Sequence, residues 1–431
     1  MKILSSLRLT ALLVAVLLLM TSCVMPQTPQ QNIGDTSTDT QAPETNLPED
    51  IEDKQIRYFF TSTKQMKKTI PDVDNAFVIL EGYYASGDAG AGVFYWDASD
   101  TTPVNDGTVF APKNSEVGRY LRVYDGITVN VMWFGALGNG STDDTAAIQA
   151  AIDALPNEGG QVILPGGKYR ISKPLEIGNG TKDTPSTKNG IRFIGTGGSF
   201  GHETINLTTI RPTGEMEIML KVNGPITDCV ISGIQFYGDG KVDGMLRMTD
   251  MVGCTIENVS AKNFRKTAYI YTAVSQEGSH DNIFKSVGSG NFIDQTTGIF
   301  IGGDPETGAL VSNTVFSDCR FDTSQTQNSI AAHIQYAEKL TFFRSHLNVY
   351  MFDTCTGLLL DATAKDGYPR QNSFYDCSVT RLYVSEDETH TIGHTFLLGH
   401  GTYDNEKYAN HPNIFGLTDI GTIIGVNGKD N

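Results

Sequence analysis

Between residues 145 and 155 the apolar positions Ala147, Ile148, Ala151, Ile152 and Leu155 share one helical face, which predicts a short helix lying on other structure. Thr142, Asp143 and Asp144 precede it and offer side-chain oxygens and negative charge to the open amides of a helix start. Pro156 ends it. Gly159-Gly160 then permits a tight turn into Val162-Ile163-Leu164, and Pro165-Gly166-Gly167 turns the chain again before Tyr169 and Ile171, the pattern of two short strands. Beyond residue 190 the period changes. A triplet of apolar or small residues, separated by two positions and then one, recurs at Ile231/Ile234/Phe236, Ile256/Val259/Ala261, Phe284/Val287/Ser289, Phe316/Cys319/Phe321, Phe342/Ser345/Leu347, Phe374/Cys377/Val379 and Phe415/Thr418/Ile420. Between these lie short strands at 245–248, 269–271, 299–301, 332–336, 358–360 and 396–398. Spacing runs from 25 residues, Ile231 to Ile256, to 41, Phe374 to Phe415. Each unit buries its face only by stacking on the next.

Phe134-Gly135-Ala136, then Gly140-x-Thr142-Asp143-Asp144-Thr145-x-x-Ile148-Gln149-x-Ala151-Ile152, then the Gly-Gly-x-Val-x-Leu-Pro-x-Gly-x-Tyr run from Gly159 to Tyr169, closely resemble the N-terminal signature of the pectate-lyase superfamily. The resemblance implies an all-β fold: a single-stranded right-handed parallel β-helix over residues 131–431, with a short N-terminal capping helix. Trp133 and Asn139 stand where that family often has Asp, which does not bear on the fold.

Residues 54–130 read as a small β-rich N-terminal module, with strands at 77–80, 93–97 and 119–123 around the Gly-rich loop 87–92. The loop lacks the Lys-Ser/Thr ending of a phosphate loop and opens a strand. The segment resembles one found in many phage tailspikes and related bacterial surface proteins. Residues 1–22 carry Lys2 and Arg8 and then the apolar run Leu9 to Met20, the pattern of a secretory signal. Its end, Met20-Thr21-Ser22-Cys23, resembles the bacterial lipoprotein processing box, which implies lipidation at Cys23. Residues 23–53, rich in Pro, Gln, Thr and acid, read as a disordered tether. The expected location is exported and lipid-anchored, to the cell membrane or outer membrane, at the cell surface or in the periplasm.

The net charge of −17 and the lack of a basic stripe disfavour a nucleic-acid binder, and argue mildly against tight binding of polyanionic sugars unless metal ions bridge the two. Past Cys23 five cysteines remain, at 229, 254, 319, 355 and 377, without zinc spacing. Cys229 and Cys254 share one repeat position and Cys319 and Cys377 another, so they read as stacked core thiols, with a Cys229–Cys254 disulfide as the rival. Asn282, Asn372 and Asn413 share a third position and are expected to serve backbone groups at coil turns.

Enzymes of the resembled superfamily bind polysaccharide on the outer face of one sheet. With Leu246, Ile270, Ile301, Ile334 and Leu360 taken as inward, strand alternation turns Arg247, Tyr271, Gly302, Gln335 and Asp361 outward. Tyr269 and His333 are outward one step earlier, and Asp304 one step later. Such a strip offers carboxylates for proton transfer, aromatic faces for sugar rings and amides for hydroxyls, although any solvated face collects polar residues. The expected function is cleavage of a polysaccharide by hydrolysis, with Asp361 as general acid, Asp304 as base for water, His333 tuning both, and Arg247, Tyr269, Tyr271 and Gln335 holding substrate. The residues call for no particular cofactor, and the metal requirement stays open. Cleavage by β-elimination would bring calcium and a basic residue such as Arg370, near Asp366. The pair His280-Asp281, the residues His390 and His394, and the Gly399-His400-Gly401 motif lack partners at matching spacing. Two alternatives stand beside the enzyme: a non-catalytic glycan-binding or adhesin β-helix, and a prophage-derived tailspike-like depolymerase. The chain would be a monomer or a homotrimer.

Overall fold

In a computed structural model the described residues are 56–198, 207–290, 293, 295–322, 327–348, 355–361, 369–379, 381–385, 394–398, 414–415 and 422–425. Cys23, the signal and tether segments, Asp366, His390, the 399–401 motif and Asn413 lie outside them.

The body is a right-handed parallel β-helix. Two long parallel sheets, of 12 and 17 strands, run its length. The 12-stranded sheet, which carries the site described below, stacks the strands Leu175–Ile177, Met216–Thr227, Val242–Val252, Thr267–Thr272, Thr297–Gly302, Ile330–Ile334, Thr356–Asp361, Arg381–Ser385 and Thr422–Gly425. The repeat triplets from Ile231 to Val379 lie along the 17-stranded sheet and point inward, and Phe236, Phe284, Phe316, Phe321, Phe342 and Phe374 are all fully buried. The rings of Phe284, Phe316, Phe342, Phe374 and Phe396 form one stack, with centroids 4.4–5.0 Å apart, close to the strand spacing that sets it.

The corner of each coil within this sheet needs one residue in the left-handed region. Gly233, Asn258, Ser286, Asp318, Arg344 and Asp376 occupy it in successive coils, with φ between 46° and 68°. Asx and glycine residues adopt this conformation most cheaply. The polar column expected at the turns is present where described: Asn282 Oδ1 accepts from Cys254 N at 2.7 Å and its amide donates to Met251 O at 2.7 Å, and Asn372 Oδ1 accepts from Leu340 N at 2.9 Å. Cys229, Cys254, Cys319, Cys355 and Cys377 are buried free thiols.

One strand expected in the 12-stranded sheet belongs elsewhere. His394–Leu398 pairs with Ser373–Val379 in the 17-stranded sheet and sets Phe396 on Phe374; the partner of Leu358–Leu360 is Leu382–Val384. The loop between these coils is shorter than the repeat spacing implies.

The helix spans Thr145–Asp153 and buries Ile148, Ala151 and Ile152. It covers the first coil, and the Gln149 side chain takes over the missing neighbour of the first strand: its Oε1 accepts from Glu176 N at 2.9 Å and its Nε2 donates to Glu176 O at 3.1 Å, which closes a sheet edge. Asp144 holds the N-cap position but does not cap. Its carboxylate accepts from Leu137 N and Gly138 N, at 2.7 and 3.2 Å, fixing the preceding loop. Asp143 bonds Thr145 N instead, at 3.1 Å.

The N-terminal module is a five-stranded sheet in the order Ile56–Phe60, Phe77–Leu80, Gly92–Asp97, Arg119–Arg122, Val109–Phe110. Arg122 is buried, and among the described residues no carboxylate forms an ion pair with it; it donates to Gly107, Ala91 and Gly90 carbonyls at 2.9–3.0 Å and lies 4.5 Å from the Trp133 ring. Burial brings its guanidinium down to about 9.

Candidate functional site

Strand register decides which residues reach the outer face of the 12-stranded sheet. One outward row runs Lys221, Arg247, Ile270, Phe300, His333, Leu359, Tyr383. A second row begins Asn223, Thr249, Thr272, Gly302, and one further step in the same register sets Gln335 and Asp361 beside Gly302.

Two expected substrate contacts are corrected by this register. Tyr269 aligns with Leu246 and Ile299, and Tyr271 with Met248 and Ile301, so both rings point inward and are fully buried. The tyrosines occupy the core because it supplies their phenols with partners: Tyr269 OH donates to Gly288 O at 2.8 Å, and Tyr271 OH lies 2.7 Å from Asn282 Nδ2 and 2.9 Å from Thr314 Oγ1. Burial pushes both phenols up. Ile270 takes the outward place instead. Phe300, Leu359 and Tyr383, which the sequence reading passed over, continue its row; the alternation Ile299-Phe300-Ile301 carried the signal for Phe300.

His333 and Asp361 are brought together. Nε2 of His333 lies 2.9 Å from Asp361 Oδ2, with the side chains 21% and 14% exposed. On its other side the imidazole meets the Phe300 ring edge-to-face, centroids 5.1 Å apart. Gln335 is half-buried in Asp361's row. Arg247 lies outward but is engaged by Glu217, whose carboxyl it holds below the usual range. Asp304 stands two strands from Asp361, in the 303–309 turn, where its N–H donates to Ala309 O at 2.8 Å and its Oδ1 accepts from Glu306 N at 3.0 Å. Two strand spacings are about 10 Å.

Alongside these turns lies a groove of about 560 Å³ whose lining includes Lys182, Asp183, Ser275, Glu277, Glu306 and Thr307. Its one lysine is paired with Asp183 at 3.3 Å, so the groove is acidic. Arg370 is bound to Glu338. Among the described residues no three His, Cys, Asp or Glu side chains gather as a metal cage. None of its helices is long and apolar enough to cross a membrane.

The family model described as rhamnogalacturonase A/epimerase, pectate lyase-like, matches residues 128–379. A second, the phage tail protein small four-stranded β-sheet domain, matches residues 59–125. Alginate lyase 7 of Azotobacter vinelandii is 39% identical over 122 residues, 27% of this chain and 14% of that protein. The mannuronan C5-epimerase AlgE4 of the same organism is 38% identical over 122 residues, 27% and 21% of the two chains. The Mu-like prophage FluMu defective tail fiber protein of Haemophilus influenzae is 26% identical over 206 residues, 48% and 30%. Each match therefore spans less than a third of the relative's length. Among solved structures, the gp42 tailspike of Acinetobacter phage vb_AbaP_AS12 is similar over 86% of this chain and 75% of its own, at 13% identity and a TM-score of 0.49.

Proposed function

From the premise that the chain belongs to the pectate lyase-like rhamnogalacturonase A/epimerase family, we propose that it cleaves a polysaccharide lying along the outer face of the 12-stranded sheet. The observation that carries this reading is the 2.9 Å bond between His333 Nε2 and Asp361 Oδ2 beside an apolar and aromatic row. A carboxyl and an imidazole bonded to each other on this face form a pair through which a proton can pass to a sugar oxygen. Phe300, Leu359 and Tyr383 offer flat apolar surface to sugar rings, and Gln335 an amide for hydroxyls.

Hydrolysis is the cleavage this arrangement serves. The pair gives its proton to the glycosidic oxygen as the bond to the anomeric carbon breaks, and Asp304 takes a proton from the attacking water. The strand spacing alone sets the two carboxyls about 10 Å apart, and Asp304 lies two residues beyond Gly302, the residue in Asp361's row, so the 303–309 turn must move toward the sheet to reach the roughly 6.5–9.5 Å of an inverting pair. Charge favours a neutral or amino-sugar chain: the groove is acidic, and Lys182 and Arg247 are already paired. A polyuronate would meet repulsion there.

Incubating the full chain with a polysaccharide panel, while following new reducing ends and absorbance of unsaturated products, tests the reading. Reducing ends without unsaturation, lost in Asp361→Asn and His333→Ala, are the expected result. Unsaturated products appearing only with calcium would replace hydrolysis by elimination. Binding to a panel member with no turnover would leave a glycan-binding protein, a reading favoured by the single carboxylate that the described outward rows hold between Arg247 and Tyr383.

The same proposal places the body outside the cytoplasmic membrane, lipidated at Cys23. Metabolic labelling with palmitate, lost in Cys23→Ser, checks it. The phage-tail model match at residues 59–125 supports descent from a tailspike, and the solution mass distinguishes monomer from trimer.

A further inference from the structure

The residues beside His333 form an arrangement that neither strand pairing nor core packing calls for. Phe300 and Gly302 lie on the same strand, both facing out. The Phe300 ring leans along the strand until it rests on Gly302: a Cβ added there would stand 2.7 Å from Phe300 Cζ and 2.9 Å from Cε1, and 3.7 Å from Gln335 Cβ. No side chain could share that space without displacing the ring, because real Cβ contacts do not fall below about 3 Å and atoms so close repel steeply. Gly302 has no unusual backbone angle. Its glycine is therefore explained by the ring and not by the chain's path.

The ring so placed meets the His333 imidazole edge-to-face, 5.1 Å between centroids at 84°, the arrangement that aromatic quadrupoles prefer. Asp361 bonds Nε2 from the next strand. The imidazole is bracketed, by a ring on one side and a carboxylate on the other, on a surface where a partly exposed histidine otherwise samples several rotamers.

We propose that Phe300, given room by Gly302, is the positioning residue that holds His333 on Asp361, so that Gly302 acts on the site only through the Phe300 ring. The inference rests on the functional reading above for its consequence in turnover, but not for its geometry. Preorganised side chains matter because displacing a reacting group by about 1 Å can cost on the order of a hundredfold in rate.

The test is a double-mutant cycle on the full chain with a readout that needs no substrate. Phe300→Ala, Gly302→Ala and the double variant are labelled with nitrogen-15 at histidine, and the His333 ring signals are assigned by their loss in His333→Gln. In the wild type one hydrogen-bonded Nε2 signal is expected. Gly302→Ala and Phe300→Ala should each move it toward the averaged position of a free imidazole, and Gly302→Ala should add nothing in the Phe300→Ala background. Phe300→Tyr keeps the ring edge and should preserve the signal, whereas Phe300→Leu should not. Where a substrate has been found, kcat of Gly302→Ala should fall about tenfold or more, and KM should rise as well, because the displaced Phe300 ring also belongs to the sugar-facing row. An unchanged His333 signal in both single variants, or additive effects in the double, would overturn the proposal. Absence of turnover in the wild type would remove the enzymatic reading and leave the nitrogen signals to decide the positioning.

Discussion

Inside the coil, Phe284, Phe316, Phe342, Phe374 and Phe396 place one residue type at one position, and their rings stack 4.4–5.0 Å apart. On the outer face of the other sheet, Ile270, Phe300, His333, Leu359 and Tyr383 follow each other at the same strand spacing without repeating a residue. Both rows obey the same backbone ladder, yet they answer to different constraints. The inner row must fill a closed column, where like shapes on neighbouring strands pack without voids. The outer row has no such neighbour above it, so its residue types are open to whatever lies on the sheet.

The largest way to separate the two rows is to remove a large apolar side chain from each. Phe342→Ala opens a cavity between Phe316 and Phe374 and should cost about 3–5 kcal/mol, with a matching fall in the melting temperature and loss of any activity. Leu359→Ala, one of the outer row, should leave stability within about 0.5–1 kcal/mol. Equal losses at both positions would mean that the outer row is packed against something and is not a binding face.

Next in size is the effect of the polar pair on turnover. His333→Ala and Asp361→Asn should each lower the rate of reducing-end formation by about 10²–10⁴, with the melting temperature nearly unchanged because both side chains are partly exposed. Asp304→Asn should lower turnover less if a second water-activating group substitutes for it, and as much if it is the base. A large fall in stability on replacing His333 would assign the pair to the fold.

A smaller effect is expected of Tyr271→Phe. The change keeps the buried ring and removes one phenol that bridges Asn282 and Thr314, leaving those two partners short of a bond. A loss of about 1–2 kcal/mol in denaturant unfolding follows, with glycan binding unaltered. Weakened binding at unchanged stability would return Tyr271 to the outer face.

Tyr271 also marks where the sequence stopped being legible. The coil, its stacking and its inward triplets were readable because closed columns repeat a residue type, and the helix and its two following strands because Ile148, Ala151, Ile152, Val162 and Tyr169 keep strict periods. In the Thr267–Thr272 strand, Tyr-Ile-Tyr alternates in the same way with either face inward. Hydrophobicity alone favours isoleucine inside; the phenol partners that reverse it come from Asn282 and Gly288, further round the same coil, and from Thr314 on the next. The pairing of His333 with Asp361 was likewise legible only as two outward residues on neighbouring strands. That they bond, with Phe300 behind them, depends on rotamers that no repeat enforces. The left-handed corner escaped notice because Ser286 and Arg344 fill it as well as glycine, asparagine and aspartate do.

The smallest expected effect probes a polar group that the interior accepts at the boundary between the two rows. Asp250 ends the outward-facing part of its strand, is fully buried, and accepts from Val274 N at 2.7 Å and Ser275 N at 3.1 Å. Burial outweighs these two donors and raises its carboxyl above the usual range. A raised folded value means that the native state holds this proton more tightly than the unfolded chain does. The resulting stability is complete below the unfolded value near 4 and is lost as pH rises through the folded value. Against the general loss of stability in acid, Asp250 therefore contributes a term of opposite sign. Asp250→Asn, measured by urea unfolding across acidic and neutral pH, should remove that term, so that the variant loses stability on acidification more steeply than the wild type. Parallel profiles would mean that Val274 N and Ser275 N compensate the carboxylate fully, and that this edge of the outer face carries no titrating strain.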